Sequence, residues 1–236
     1  MSKRVGQKQA ARVVREQLAK ERRRQRTLWT SIAAVAVLVI AGLIGWGIYA
    51  SQRTDSYVAP PGAVDNDSGI AVGSGPVKVD VYLDFLCPAC KRFETEAGTT
   101  LDKLVSDGKA TIVYHPVAFL DRLSTTEYST RSGAASGCAA EGGKFAEYAA
   151  ALYDRQPPEG GPGLSNDELI SIGNSVGLTG PDFAECVRDG KYRPWTVHVT
   201  DVASERGVTG TPTAFVAGKQ VQASAAAITT AVAAAG

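Results

Sequence analysis

The stretch "DFLCPACKRF", Asp84 to Phe93, decides how this chain is read. Two cysteines, Cys87 and Cys90, flank a Pro-Ala pair. Upstream, "VKVDVYLDF" from Val77 alternates and is rich in β-branched and aromatic residues, which predicts a strand. Downstream, "CKRFETEAGTTLDKLVSDG" predicts a helix ending near Gly108. A cysteine at such a strand-to-helix junction has its sulfur at the positive end of the helix dipole, within reach of unpaired backbone N–H groups. Both effects favour the thiolate, which is the nucleophile. Pro88 in the first helical position sacrifices no hydrogen bond and fixes the turn. Cys90, three residues on, lies deeper on the same helical face and can attack a mixed disulfide formed at Cys87. The spacing suits thiol–disulfide exchange.

Other chemistries fit less well. Structural zinc needs four ligands, usually as two such pairs or with histidines at close spacing. Cys138 and Cys186 stand alone, and His115 and His198 fit no ligand pattern, so no metal is expected. A purely structural Cys87–Cys90 bridge closes too short a loop to constrain the unfolded chain much. The four cysteines formally allow three pairings.

Outward from this centre, charge is distributed unevenly along the 236 residues. Residues 1–50 hold ten Lys/Arg against Glu16 and Glu21, a balance of +8, while the remainder carries −7. The basic arm, residues 1–27, leads into "LWTSIAAVAVLVIAGLIGWGIYA", Leu28 to Ala50, which has 23 residues and no charge. A helix of that length covers a hydrocarbon core of roughly 30 Å. Trp29, Trp46 and Tyr49 near its ends suit the headgroup layer. A cleaved signal peptide would have a shorter apolar core and a small-x-small site, whereas "IYAS" places Ile48 where a small residue is wanted. The expectation is an uncleaved transmembrane anchor with the arm in the cytoplasm and the rest outside. The arm then acts as a topology signal and a contact for anionic lipid, and no nucleic-acid role is expected. Disulfides persist in that outer compartment.

Residues 51–75 are rich in Pro, Gly, Ser and Asp without periodicity and read as a flexible linker to a domain spanning 76–236. After the first strand and helix, "KATIVYHPV" from Lys109 is a second strand. From about residue 124 to 192 the chain is helical and Ala-rich, interrupted at Gly142–Gly143, with a helix-start signal at Ser165 and Glu168 and Pro181 in the first turn of a further helix. Another helix follows from Tyr192, then a hairpin around Ala217–Gly218 and a terminal Ala-rich helix. Without the helical block, a β-α-β-α-β-β-α unit remains, which implies a mixed sheet with helices on both faces.

"FLCPAC", "GTPTAFV" (Gly210 to Val216) and this element order resemble the DsbA-like thiol–disulfide oxidoreductases, in particular their membrane-anchored or secreted bacterial branch. The resemblance implies an α/β thioredoxin fold with an inserted helical subdomain, preceded here by the membrane helix. It implies a cis peptide before Pro212, with Thr211 and Pro212 beside Cys87, Pro88, Ala89 and Cys90. It also implies a structural disulfide between Cys138 and Cys186, the alternative being two buried thiols. Closing so long a loop stabilises by about 3–4 kcal/mol in the chain-entropy model. The family's redox cycle needs no bound cofactor. Its substrates would be exported proteins with free thiols, and its reoxidising partner a membrane protein of the DsbB or vitamin-K-epoxide-reductase-like (VKOR) type.

The chain departs from the best-known members at three places. Ala89 stands where a CPHC histidine would stabilise the thiolate, Ala214 where a second aromatic is frequent, and Ala217-Gly218 where the turn is often Asn-Gly. The direction of exchange therefore stays open: disulfide donation, reduction or isomerisation, with a non-catalytic peptide-binding holdase as a reading of another class. Among further residues, Asp84 either caps the turn or tunes proton transfer to Cys90. Phe85 and Leu86 either line a substrate face or enter the core. His115, and Trp195 with His198, read as structural.

Overall fold

The computed structural model describes residues 57–236, together with Trp29, Val39, Ile40 and Gly42. The basic arm at 1–27 and nearly all of the expected anchor at 28–50 lie outside the described residues. Among the described residues, no helix is long and apolar enough to cross a membrane.

From Tyr57 onward the chain forms β1 (Ala63–Val64), β2 (Gly69–Val72), β3 (Val77–Leu83), α1 (Pro88–Ser106) and β4 (Ala110–Pro116). Four helices follow, α2 (Tyr128–Glu141), α3 (Phe145–Asp154), α4 (Asn166–Ser175) and α5 (Pro181–Asp189). The chain closes with α6 (Arg193–Glu205), β5 (Thr213–Val216), β6 (Lys219–Val221) and α7 (Ala225–Ala235). The sheet order is β1-β2-β4-β3-β5-β6. Only β3 and β4 are parallel, in register from Val77↔Ala110 to Leu83↔Pro116, with α1 as their crossover.

Covered on both faces, the central pair is nearly continuously buried. On one face α1 lays down Phe93, Ala97, Leu101 and Leu104, an apolar stripe at helical spacing. Ile228 and Val232 of α7 extend that layer. Burying each of the larger side chains contributes about 1.5–3 kcal/mol. Val77, Leu104 and Val232 line one cavity at the end of that layer. The alternate residues Asp80 and Tyr82 point to the other face, where Arg206 at the end of α6 reaches both.

The linker reading fails from residue 57 on. Residues 63–72 form a hairpin whose second strand pairs with β4, Ile70↔Tyr114 to Val72↔Ile112, so the folded domain starts upstream of residue 76. The turn holds Asp65, Asn66 and Asp67 at φ of 56°, 54° and 60°. Asp and Asn tolerate the left-handed region better than other non-glycine residues. Strands of two and four residues are too short for alternation to register, and this pair is held by distant partners. Gly69 lies so close to β4 that a Cβ would sit 2.5 Å from Val113 and 2.8 Å from His115.

Helices α2–α5 make an inserted subdomain between β4 and α6. Helix α2 is built of small residues and is buried almost all round. A Cβ at Gly133 would lie 2.6 Å from Thr196, and one at Gly137 3.0 Å from Tyr192, so these glycines admit α6 at close range. The Ser165–Glu168 capping box forms. Cys138 on α2 and Cys186 on α5 are joined by a disulfide with Cα atoms 5.9 Å apart. The β5–β6 turn needs positive φ at both Ala217 (47°) and Gly218 (79°).

Candidate active site

Cys87 is the residue before the first turn of α1, extended at φ −74° and ψ 117°, with Pro88 next. The turn that delivers it is closed by Cys87 N–H donating to Asp84 O (3.0 Å), while Cys87 O accepts from Lys91 N–H (3.2 Å) and starts the helix. The Thr211–Pro212 peptide is cis. It brings the Thr211 carbonyl oxygen within 3.5 Å of the Cys87 sulfur. Cys87 keeps 7% exposure and Cys90 none, so an incoming sulfur meets Cys87 first. Ala89 is half-buried between them.

Both thiols are free, and their environments push them in opposite directions. Hydrogen bonding from the Cys90 thiol brings the Cys87 thiol down to about 5. Burial opposes this, while Thr211 and the backbone N–H groups of Cys90 and Ala89 add to it. Burial pushes Cys90 strongly up, and the Cys87 charge reinforces that. The arrangement is a nucleophile backed by a proton-bearing partner.

Asp84 does more than end its strand. It is fully buried, and its carboxylate accepts from Leu86 N–H (2.9 Å), Leu120 N–H (2.9 Å) and Ser129 Oγ (2.7 Å). Burial raises its carboxyl to about 6 against those three hydrogen bonds, with the Cys87 charge adding to the rise. Asp84 therefore exchanges its proton near neutral pH, within the field of the nucleophile.

Phe85 and Leu86 are core, at 2% and 1% exposure, because the turn after β3 points both inward. Two residues of the insertion that no sequence pattern marks instead hold this turn. Tyr153 Oη donates to Asp84 O (3.3 Å), and Gln156 Nε2 donates to Phe85 O (2.9 Å) and Cys87 O (3.0 Å).

The histidines lie elsewhere. His115 is buried, stacked on Tyr82, with Nδ1 2.8 Å from Ser68 O and Nε2 3.1 Å from Asp80 Oδ1. Trp195 is buried, and its indole N–H donates to Asp67 O, while His198 stacks on Tyr57. Donor atoms of Asp65, Asp80 and His115 approach within 4.8 Å of one another, a spacing that suits a metal. Lys78 already binds both carboxylates, at 3.0 Å from Asp80, and Arg206 binds Asp80 at 3.2 Å. Burial works against the Asp80 charge, but hydrogen bonds from His115 and Lys78 hold its carboxyl well below the usual range. These two cations make the cluster a self-neutralised network rather than a cation site.

A mixed sheet with a parallel central pair, a helix opened by a CxxC and a cis-proline loop against the first sulfur define a thioredoxin-fold thiol–disulfide oxidoreductase. The chain belongs to the thioredoxin family, whose model matches residues 66–233, and within it to the DsbA-like enzymes. It is similar to reduced DsbA from Mycobacterium tuberculosis at 33% identity and a TM-score of 0.58, over 65% of this chain and 84% of that one. It is also similar to the reduced disulfide bond oxidoreductase DsbG of the same organism, at 34% identity and a TM-score of 0.56, over 72% of this chain and 77% of that one. A further likeness, 32% over 133 residues, is to the serine/threonine-protein kinase PknE of M. tuberculosis. That match covers 52% of this chain and only 23% of the kinase, so the chain spans less than a quarter of that relative's length.

Proposed function

We propose that this protein is a membrane-tethered, extracytoplasmic disulfide donor, with Cys87 as the attacked sulfur and Cys90 as its partner. The direction of exchange rests on the stabilised Cys87 thiolate: the Cys90 thiol and the N–H groups at the start of α1 bring the Cys87 thiol down to about 5, while burial pushes Cys90 up. A thiolate stabilised in the reduced form makes the disulfide form readier to accept electrons.

In the cycle, a substrate thiolate attacks Cys87 Sγ. The Cys87–Cys90 bond breaks, and its electron pair passes to Cys90, which takes up a proton. A second substrate thiolate then attacks the substrate sulfur of the mixed disulfide and expels Cys87 as a thiolate. Two electrons have moved from the substrate dithiol to the cysteine pair. Asp84, titrating near 6, is suited to supply the proton Cys90 needs. The backbone at Thr211, 3.5 Å from the nucleophile, is placed to pair with an extended client segment by strand addition.

The charge asymmetry and the uncharged stretch at 28–50 support the tether, as do the exposed helical side chains of Trp29, Val39 and Ile40. Clients are then exported proteins with free thiols, and a DsbB- or VKOR-type membrane protein reoxidises the pair. Equilibration of the full chain with glutathione tests the direction. A potential of roughly −120 to −180 mV is expected, and one near roughly −270 mV reassigns the protein as a reductase. A holdase would bind unfolded clients equally well after Cys87→Ser. Labelling of Cys87 by an impermeant maleimide after mild reduction of intact cells tests the topology, and a thiol that reacts only after lysis refutes it.

A further inference from the structure

The insertion reaches the redox turn through Ser129 and Tyr153, which bond Asp84, and through Gln156, which alone of the three bonds the backbone of Cys87 itself. Gln156 follows α3 and is half-buried. Its single amide nitrogen donates to two carbonyls that flank the Leu86–Cys87 segment, Phe85 O at 2.9 Å and Cys87 O at 3.0 Å. Those carbonyls belong to peptide planes on either side of the nucleophile. The plane holding Cys87 O is also the Cys87–Pro88 bond, and Pro88 has no N–H with which to anchor it. Cys87 O accepts from Cys90 N–H (3.0 Å) and Lys91 N–H (3.2 Å) within α1, and Gln156 adds a third donor from outside that helix. Fixing Cys87 O therefore fixes Cys87 ψ, and with it the direction of the sulfur relative to the first N–H groups of α1.

We infer that Gln156 is a positioning residue for the Cys87 nucleophile, its amide clamping the Phe85 and Cys87 carbonyls so that the sulfur faces the open end of α1. This deepens the disulfide-donor reading and rests on it. The insertion then belongs to the redox machinery: a residue 69 positions from Cys87 in sequence sets how well its thiolate is solvated by the helix start. Tyr153, bonded to Asp84 O at 3.3 Å, braces the other end of the same turn. The clamp is neutral and purely a donor. An isosteric carboxylate in its place would present two acceptors to two carbonyl oxygens.

The test is the pH dependence of Cys87 alkylation in the reduced full chain, followed at that residue by mass spectrometry. For Gln156→Leu the rate at pH 5 is expected to fall about three- to fivefold while the rate at pH 9 stays unchanged, as a midpoint raised by up to about one pH unit requires. Gln156→Glu is expected to lower it at least as much. A merely structural glutamine would lower the melting temperature and leave both rates in place, and that result overturns the inference. In the unmodified chain the Gln156 side-chain amide resonances are expected to titrate with Cys87. A flat profile there overturns it without any variant having to fold. A wild-type Cys87 midpoint near 9 would instead sink the disulfide-donor reading itself, whereas a low midpoint unmoved in both variants removes only the role of Gln156.

Discussion

The chain holds two cysteine pairs in one domain and treats them in opposite ways. Cys87 and Cys90 sit three apart on the first turn of α1. When they separate, the backbone is still tied by Cys87 N–H to Asp84 O and Lys91 N–H to Cys87 O, and the freed thiolate is stabilised. Cys138 and Cys186 are 48 residues apart and join two helices of the insertion. Opening that bridge would release a long loop. It would also create a thiolate in a groove lined by Glu141, Asp182, Glu185 and Asp189, with Lys191 the one cation among the lining residues. Glu141 is spoken for by Lys191 at 2.8 Å, which leaves the groove net negative. A disulfide is reversible where the protein stabilises what opening produces, and permanent where it does not.

That contrast breaks most visibly at Cys87. Cys87→Ser is expected to remove all disulfide transfer to a reduced, unfolded test protein, read by gel-shift of its thiols. Cys138→Ala/Cys186→Ala is expected to retain transfer; equal loss in both variants would erase the distinction. Cys90→Ala sharpens the first half, because without Cys90 to attack them, mixed disulfides formed when the Cys87 thiolate attacks an oxidised client should accumulate on non-reducing gels.

The next largest effect is on stability. Removing the Cys138–Cys186 bridge should cost about 3–4 kcal/mol. For a domain of this size that lowers Tm by on the order of 10 °C in calorimetry. A loss below about 1 kcal/mol would mean that the helices hold the loop without it.

The pH dependence separates the pairs again. Cys87 titrates at about 5 when folded and at 9.0 as a free thiol, so between those values the folded reduced protein binds fewer protons than the unfolded one. Its stability contribution is complete above pH 9 and is lost as pH falls towards 5. The oxidised form has no such group. The reduced-minus-oxidised difference in Tm should therefore shrink from pH 8 to pH 5. Asp84, raised by burial, acts with the opposite sign, losing stability as pH rises through about 6. It is present in both forms and largely cancels in the difference.

The smallest effect is expected from Ala89→His, which supplies a charge-assisted donor beside the thiolate. A rise of about 30 mV in reduction potential, equivalent to about 1.4 kcal/mol for a two-electron couple, is the expected scale. No change would mean that the Cys90 proton and the backbone N–H groups already saturate the sulfur.

Much of the core was legible from local pattern. β3, α1 and β4 show in Val77–Leu83, in the Phe93–Ala97–Leu101–Leu104 spacing and in Ala110–Pro116, because each buries a face whose period is written in neighbouring residues. The hairpin at 63–72 was not, since its strands are too short to carry a period and their partners lie on β4. Phe85 and Leu86 could be read either way, because an apolar residue in a turn does not reveal which way the turn folds.

By itself, then, the sequence determined that a cysteine pair opens a helix after a strand, since strand alternation, Pro88 and the CxxC spacing are all local. The cis geometry at Pro212 and the Cys138–Cys186 pairing came to the sequence reading through family likeness alone. Only the tertiary structure decided that the carbonyl oxygen of Thr211 is the atom that meets the sulfur, that Asp84 is sealed beneath Ser129, and that Gln156 grips the turn from the insertion. The physical reason is range: a hydrogen bond between residues 69 or 124 positions apart leaves no periodicity in the chain, and exists only once the sheet and the insertion have packed.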